Sequence, residues 1–94
     1  MGSSAAAENA KVVYEQQCAF CHGIEGRGDG PAGSALRPPP TNFTSPSYWK
    51  TATLESVKAS IINGKPGSAM VAFGKTLKPE DIDALAQYLR HFAP

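Results

Sequence analysis

Three stretches of the chain repeat apolar residues at the spacing of an α-helix, and nowhere do apolar and polar residues alternate over the length of a strand. Between Glu8 and Gln17, Ala10, Val13 and Tyr14, followed by Cys18, fall at i, i+3, i+4 and i+8. Lys11, Glu15 and Gln16 take the opposite side. This predicts a helix whose last turn is ended by Gly23, because glycine tolerates the left-handed backbone. From Ala52 to Asn63 a second stripe runs through Leu54, Val57 and Ile61, with Thr53 placed to cap it and Gly64 to stop it. The strongest pattern lies between Pro79 and Phe92, where Ile82, Leu85, Ala86 and Leu89 share one face, flanked by Tyr88 and Phe92. Pro79 suits a first helical position. Glu80, Asp81 and Asp83 complement the positive end of the helix dipole, and Arg90 and His91 the negative end. Lys78 stands where serine or threonine would cap better. The fold class is all-α, with three to four short helices and long loops.

The longest loop, Gly26 to Asn42, contains Gly28-Asp29-Gly30-Pro31-Ala32-Gly33, which matches Gly-x-Gly-x-x-Gly. A dinucleotide site is excluded, because no strand precedes these residues and no βαβ unit surrounds them. Tight turns around a bulky group are the simpler reading. Pro38-Pro39-Pro40 then forms a stiff, extended wall without backbone donors.

Length and composition narrow the picture. A chain of 94 residues makes one domain the default, expected over 8–94, with 1–7 read as a terminal or expression-derived tail. A net charge of +1 gives no reason to expect nucleic-acid binding. No run approaches the roughly 18 apolar residues that span a bilayer. The two cysteines sit in Cys18-Ala19-Phe20-Cys21-His22, the Cys-x-x-Cys-His attachment signature of a c-type haem. On a helical turn, positions three and four apart share a face, so both thiols and the imidazole can point at one object. Two other readings compete. A zinc site wants four ligands, and a redox dithiol wants a strand–turn–helix context. Opposite His22, Met70 is the expected second iron ligand: it lies in a loop, Gly67 to Gly74, and Met1 belongs to the tail. A thioether favours Fe(II) and raises the reduction potential. His91 is the runner-up ligand, and core filling is the plain alternative for Met70.

Through Ala10-Lys11-Val12-Val13-Tyr14, Cys18-Ala19-Phe20-Cys21-His22-Gly23, Gly28-Asp29-Gly30-Pro31, Leu36, the proline run, the Met70 loop and the helix Pro79–Phe92, the chain resembles a class I c-type cytochrome, the small bacterial monohaem type. The resemblance implies a cytochrome c fold wrapped around one haem c, held covalently through Cys18 and Cys21 with His22 and Met70 on the iron. It implies that Ala10 and Tyr14 meet Leu85, Tyr88 and Leu89 where the first and last helices cross. Glycine is common in the family at the position of Ala10. A carbonyl in the segment Leu36 to Pro39, including Pro38, should accept the His22 N–H, and Trp49 or Tyr48 should bond a haem propionate. Proline commonly follows the axial methionine, whereas this chain has Val71, so its Met70–iron bond should open more easily.

The function expected is electron transfer by an exported, periplasmic, monomeric single-haem carrier that is not an enzyme. Its partners are redox proteins, and Lys58, Lys65, Lys75 and Lys78 form a basic rim suited to an acidic docking surface. The alternatives are a haem domain cut from a larger redox enzyme or complex, and a haem-based ligand sensor if Met70 is labile.

Overall fold

The computed structural model describes residues 4–94, with side chains from Glu8 onward. Helix α1 (Ser4–Val13) runs without a break into a π-helical turn (Tyr14–Cys18) and a last turn, α2 (Ala19–His22). A 3-10 turn (Gly33–Ala35) follows in the long loop, then α3 (Pro46–Thr51), α4 (Leu54–Asn63) and α5 (Pro79–Arg90). No strand occurs among the described residues, and no helix among them is long and apolar enough to cross a membrane. Residues 1–3 of the expected tail lie outside the described residues, and α1 begins inside that tail, at Ser4.

The π turn changes which residues share a face. The Ala19 N–H bonds to the Tyr14 carbonyl five residues back, so one extra residue is wound into the turn. The buried face therefore runs Ala10, Tyr14, Ala19, not Ala10, Tyr14, Cys18 as straight helical spacing predicts. Cys18 is left half-buried, packed against the edge of the core and lining a cleft. Gly23 ends the helix as expected: its φ is 86°, and its N–H bonds to the Ala19 carbonyl.

Helix α5 forms the centre of the core. Ile82, Leu85, Ala86 and Leu89 are all buried, and the helix packs against both α1 and α4. Tyr14 has no exposed surface; its ring lies 5.4 Å from Tyr88 and 5.2 Å from Phe92, and its hydroxyl donates to the Gly23 carbonyl at 2.5 Å. The phenol so ties α5 to the end of α2, and burial raises its pKa well above the usual value. Thr53 caps α4 through a reciprocal pair of bonds with Ser56, and Gly64 stops it at φ 68°. Lys78 leads into α5 without a side-chain cap.

Helix α3 has no counterpart in the apolar pattern, since six residues are too few to show a period. Its signal is Ser45-Pro46, a cap position followed by proline at N1. This helix turns Trp49 inward, where its indole N–H donates to the Phe43 carbonyl at 2.6 Å and the Arg90 guanidinium lies 5.5 Å from the ring centre.

Candidate haem site

Once α2 ends, its last carbonyls need partners. The long loop supplies them. Ala32 N–H donates to Phe20 at 2.9 Å, Gly30 N–H to Cys21 at 3.0 Å, and Gly28 N–H to His22 at 2.7 Å. Three alternate amides thus lie along the end of the Cys-x-x-Cys-His turn. The approach is so close that a Cβ on Gly30 would lie 2.5 Å from the Phe20 oxygen, and one on Gly33 would lie 2.6 Å from the Cys21 oxygen. The glycines of the Gly-x-Gly-x-x-Gly stretch therefore let the loop lie against this turn.

On the inner side of α2 lies a cleft of about 250 Å³. Cys18, Cys21 and His22 line one wall, and Leu36, Pro38 and the rest of the proline run another. Ile61, Phe73, Leu85 and Leu89 bring the core of α4 and α5 to it. His22 is held on two sides. Its Nδ1 lies 3.0 Å from the Thr41 carbonyl, which can only accept, so Nδ1 carries the proton and Nε2 keeps its lone pair. Phe43 stacks on the ring at 4.7 Å, with 25° between the planes. Burial holds the imidazole pKa below its ordinary value, against the opposite pull of the Thr41 bond, so the ring is neutral at neutral pH, the state a metal ligand requires.

Met70 lines the same cleft. Its loop is closed on itself at Lys65 and tied to α4 at Phe73 and Gly74. The Lys65 N–H donates to the Met70 carbonyl at 3.2 Å, the Phe73 N–H to Ile61 at 2.8 Å, and the Gly74 N–H to Ile62 at 3.1 Å. Inside the loop the Met70 N–H donates to Ser68 Oγ at 3.2 Å. Two thiols, an imidazole with a free Nε2 and a thioether thus converge on one apolar cleft, a donor set that fits haem c. A zinc site does not fit: the described residues hold no group of three or more His, Cys, Asp or Glu able to bind a metal ion. Nor does a reactive dithiol. Burial, with Cys21 beside it, pushes the free Cys18 thiol up to about 11, away from the thiolate that exchange chemistry needs.

Several expected roles fall elsewhere. The carbonyl that accepts from His22 belongs to Thr41, beyond the Leu36 to Pro39 segment. Trp49 and Tyr48 do not line the cleft. Trp49 is engaged with Phe43, and Tyr48 sets its edge against the same phenylalanine at 5.7 Å. Together they back Phe43, which backs His22. His91 is exposed beyond α5 and lines no part of the cleft. Gln17, Thr41 and Phe43 do line it and were not singled out by their own sequence signals, and Lys65, expected on a basic rim, lines it as well.

An all-α domain with this cleft, motif and methionine loop has the architecture of a c-type cytochrome. Residues 5–89 match the family described as cytochrome c oxidase, cbb3-type, subunit III, and the chain belongs to that family. It is 32% identical over 88 residues to the cbb3-type cytochrome c oxidase subunit CcoP of Azospirillum brasilense, an alignment covering 94% of this chain and 29% of that protein. It is also 32% identical over 83 residues to cytochrome c6 of Gloeothece citriformis, covering 88% of this chain and 68% of that one. The solved structure of the KustC0563 c-type cytochrome superposes with a TM-score of 0.74 at 26% identity, over 90% of this chain and 98% of the other. The chain spans under a third of the cbb3-type subunits it matches. Membership carries with it covalently bound haem c and electron transfer as the work of this domain.

Proposed function

We propose that this domain is a non-catalytic single-haem electron carrier in which Cys18 and Cys21 form the thioether links and His22 and Met70 are the axial ligands. The observation that carries the reading is His22, with Nδ1 committed to Thr41 and Nε2 free, lining the same apolar cleft as Met70. Haem so held supplies a one-electron couple. The chain's own residues do the rest. Thr41 fixes the imidazole and makes it a better donor, while Phe43 limits its rotation. Ile61, Phe73, Leu85 and Leu89 exclude water. The bonds at both ends of the Met70 loop hold the thioether in place. With His22 and Met70 both on the iron no substrate position would be open, and among the described residues no carboxylate lines the cleft to serve as an acid or base. Absorption spectra of protein made in cells competent for haem attachment test this. A c-type reduced spectrum, with the weak long-wavelength Met–Fe(III) band after oxidation, supports it. A c-type spectrum lacking that band, with ready carbon monoxide binding, points to a sensor and overturns it.

The partners proposed are redox proteins, met by a monomer outside the cytoplasm, where such haems are attached. Of the basic rim, Lys65, Lys75 and Lys78 are exposed, whereas Lys58 is engaged with Glu55 at 3.3 Å and Asp83 at 3.4 Å. If the three free lysines steer an acidic partner, its electron-transfer rate should fall as salt rises. A salt-independent rate overturns the docking role. The same chemistry serves equally in a longer chain such as a cbb3-type subunit, with the partner then intramolecular.

Val71 is 62% exposed, and its N–H has no partner among the described residues, so proline there removes no hydrogen bond. Val71→Pro should stabilise the loop by about 0.4–1 kcal/mol through the unfolded chain. That raises the pH at which the Met70 ligand is lost by roughly 0.3–0.7 units. Following the long-wavelength band against pH checks this; an unchanged or lower midpoint counts against it.

A further inference from the structure

Resting on the haem reading above, we propose that Lys65 is the carboxylate-binding residue of the cleft: its ammonium pairs with a haem propionate and biases the couple toward the reduced state. A bound haem brings two carboxylates to an apolar cleft, and charge placed there is costly unless it is paired or hydrogen-bonded. Among the described residues Lys65 is the one charged side chain lining the cleft.

Several donors near the cleft are committed, though among the described residues the Thr41 hydroxyl and the Val71 N–H are not. The Trp49 N–H serves the Phe43 carbonyl. Arg37, beside the wall residue Leu36, donates to the carbonyls of Ser34 at 3.1 Å and Leu36 at 2.7 Å. The Ser68 hydroxyl donates to the Lys65 carbonyl at 2.7 Å and accepts from Met70. Gln17 remains as a neutral donor. Lys65 itself makes no ion pair among the described residues. Its backbone, by contrast, is fixed: the N–H holds the Met70 carbonyl, and its own carbonyl takes both the N–H and the hydroxyl of Ser68. The Cα is therefore anchored at the cleft while the ammonium is free to reach a carboxylate.

The sign of the effect follows from Coulomb's law. A positive charge near the iron favours Fe(II), and removing it also leaves a propionate unneutralised, which favours Fe(III). The test compares the holoprotein with Lys65→Gln and Lys65→Arg at low ionic strength. Oxidised and reduced spectra come first, to establish His/Met ligation in each. In Lys65→Gln the reduction equilibrium constant should fall roughly three- to fivefold, ~30–40 mV for a one-electron couple. Lys65→Arg should stay within about twofold, ~20 mV, of the wild type. Should Lys65→Gln load haem poorly, Lys65→Met keeps the aliphatic stem and should show the same fall. Intact spectra with an unmoved potential overturn the role of Lys65 alone, as does Lys65→Arg falling as far as Lys65→Gln. A wild type without the c-type spectrum overturns the haem reading itself.

Discussion

Replacing Met70 with alanine should lower the reduction potential by on the order of 0.1–0.2 V and let the ferrous protein bind carbon monoxide. Axial ligands move haem potentials across roughly 0.8 V, and a thioether stabilises Fe(II) more than the water or hydroxide that enters in its place. The variant should still fold. Met70 is only half-buried, and its loop is held by backbone bonds from Lys65, Phe73 and Gly74 that an alanine keeps. Met70→His separates ligation from mere space-filling. It should restore a closed, low-spin site that excludes carbon monoxide, yet leave the potential below the wild type, because two imidazoles favour Fe(II) less than an imidazole and a thioether. Potentiometric titration and carbon monoxide difference spectra read both effects. A potential unchanged in Met70→Ala would mean that the side chain only fills the cleft.

Gly30→Ala is expected to destabilise the domain by roughly 3 kcal/mol or more, at or above the usual cost of overpacking. The new Cβ would run into the Ala19 carbonyl and lie 2.5 Å from the oxygen and 2.7 Å from the carbonyl carbon of Phe20. These are backbone atoms at the end of α2, so relief requires moving either the haem-binding turn or the loop. Moving the loop weakens the bonds from Gly28, Gly30 and Ala32 that satisfy the helix end. In a domain of this size each kcal/mol is worth about 4–8 °C of Tm, so a fall of at least ~12 °C in a circular-dichroism melt is expected. Gly67→Ala is the control. Gly67, unlike Gly30, has a positive φ, 81°, and nothing lies within 4 Å of its added Cβ, so only the left-handed penalty of about 1–2 kcal/mol applies. Equal losses in the two variants would show that close approach to the haem-binding turn is not what Gly30 provides.

Much of this was legible beforehand. The stripe Ile82, Leu85, Ala86, Leu89 identifies α5 and its buried face, because a long amphipathic period admits one reading. Thr53 and Gly64 mark the ends of α4, because capping and stopping are local backbone chemistry. Helix α3 escaped because six residues carry no period. The partners of particular side chains escaped for a different reason. Whether Trp49 reaches a propionate or the Phe43 carbonyl depends on how α3 docks, which no local pattern records.

By itself the sequence determined the helical class, the three main helices, the attachment motif and the single loop methionine able to face it. Each of these follows from residue type and spacing along the chain. Only the tertiary structure decided the rest. The π turn buries Ala19 beside Tyr14 and leaves Cys18 half-buried at the cleft. Thr41, and not the segment before it, supplies the carbonyl for His22. Lys65 becomes the lone charge at the cleft among the described residues, where the backbone after Gly64 turns back toward Met70. These are contacts between residues distant in sequence, or the orientation of one element against another, and their energies exist only once the core has closed.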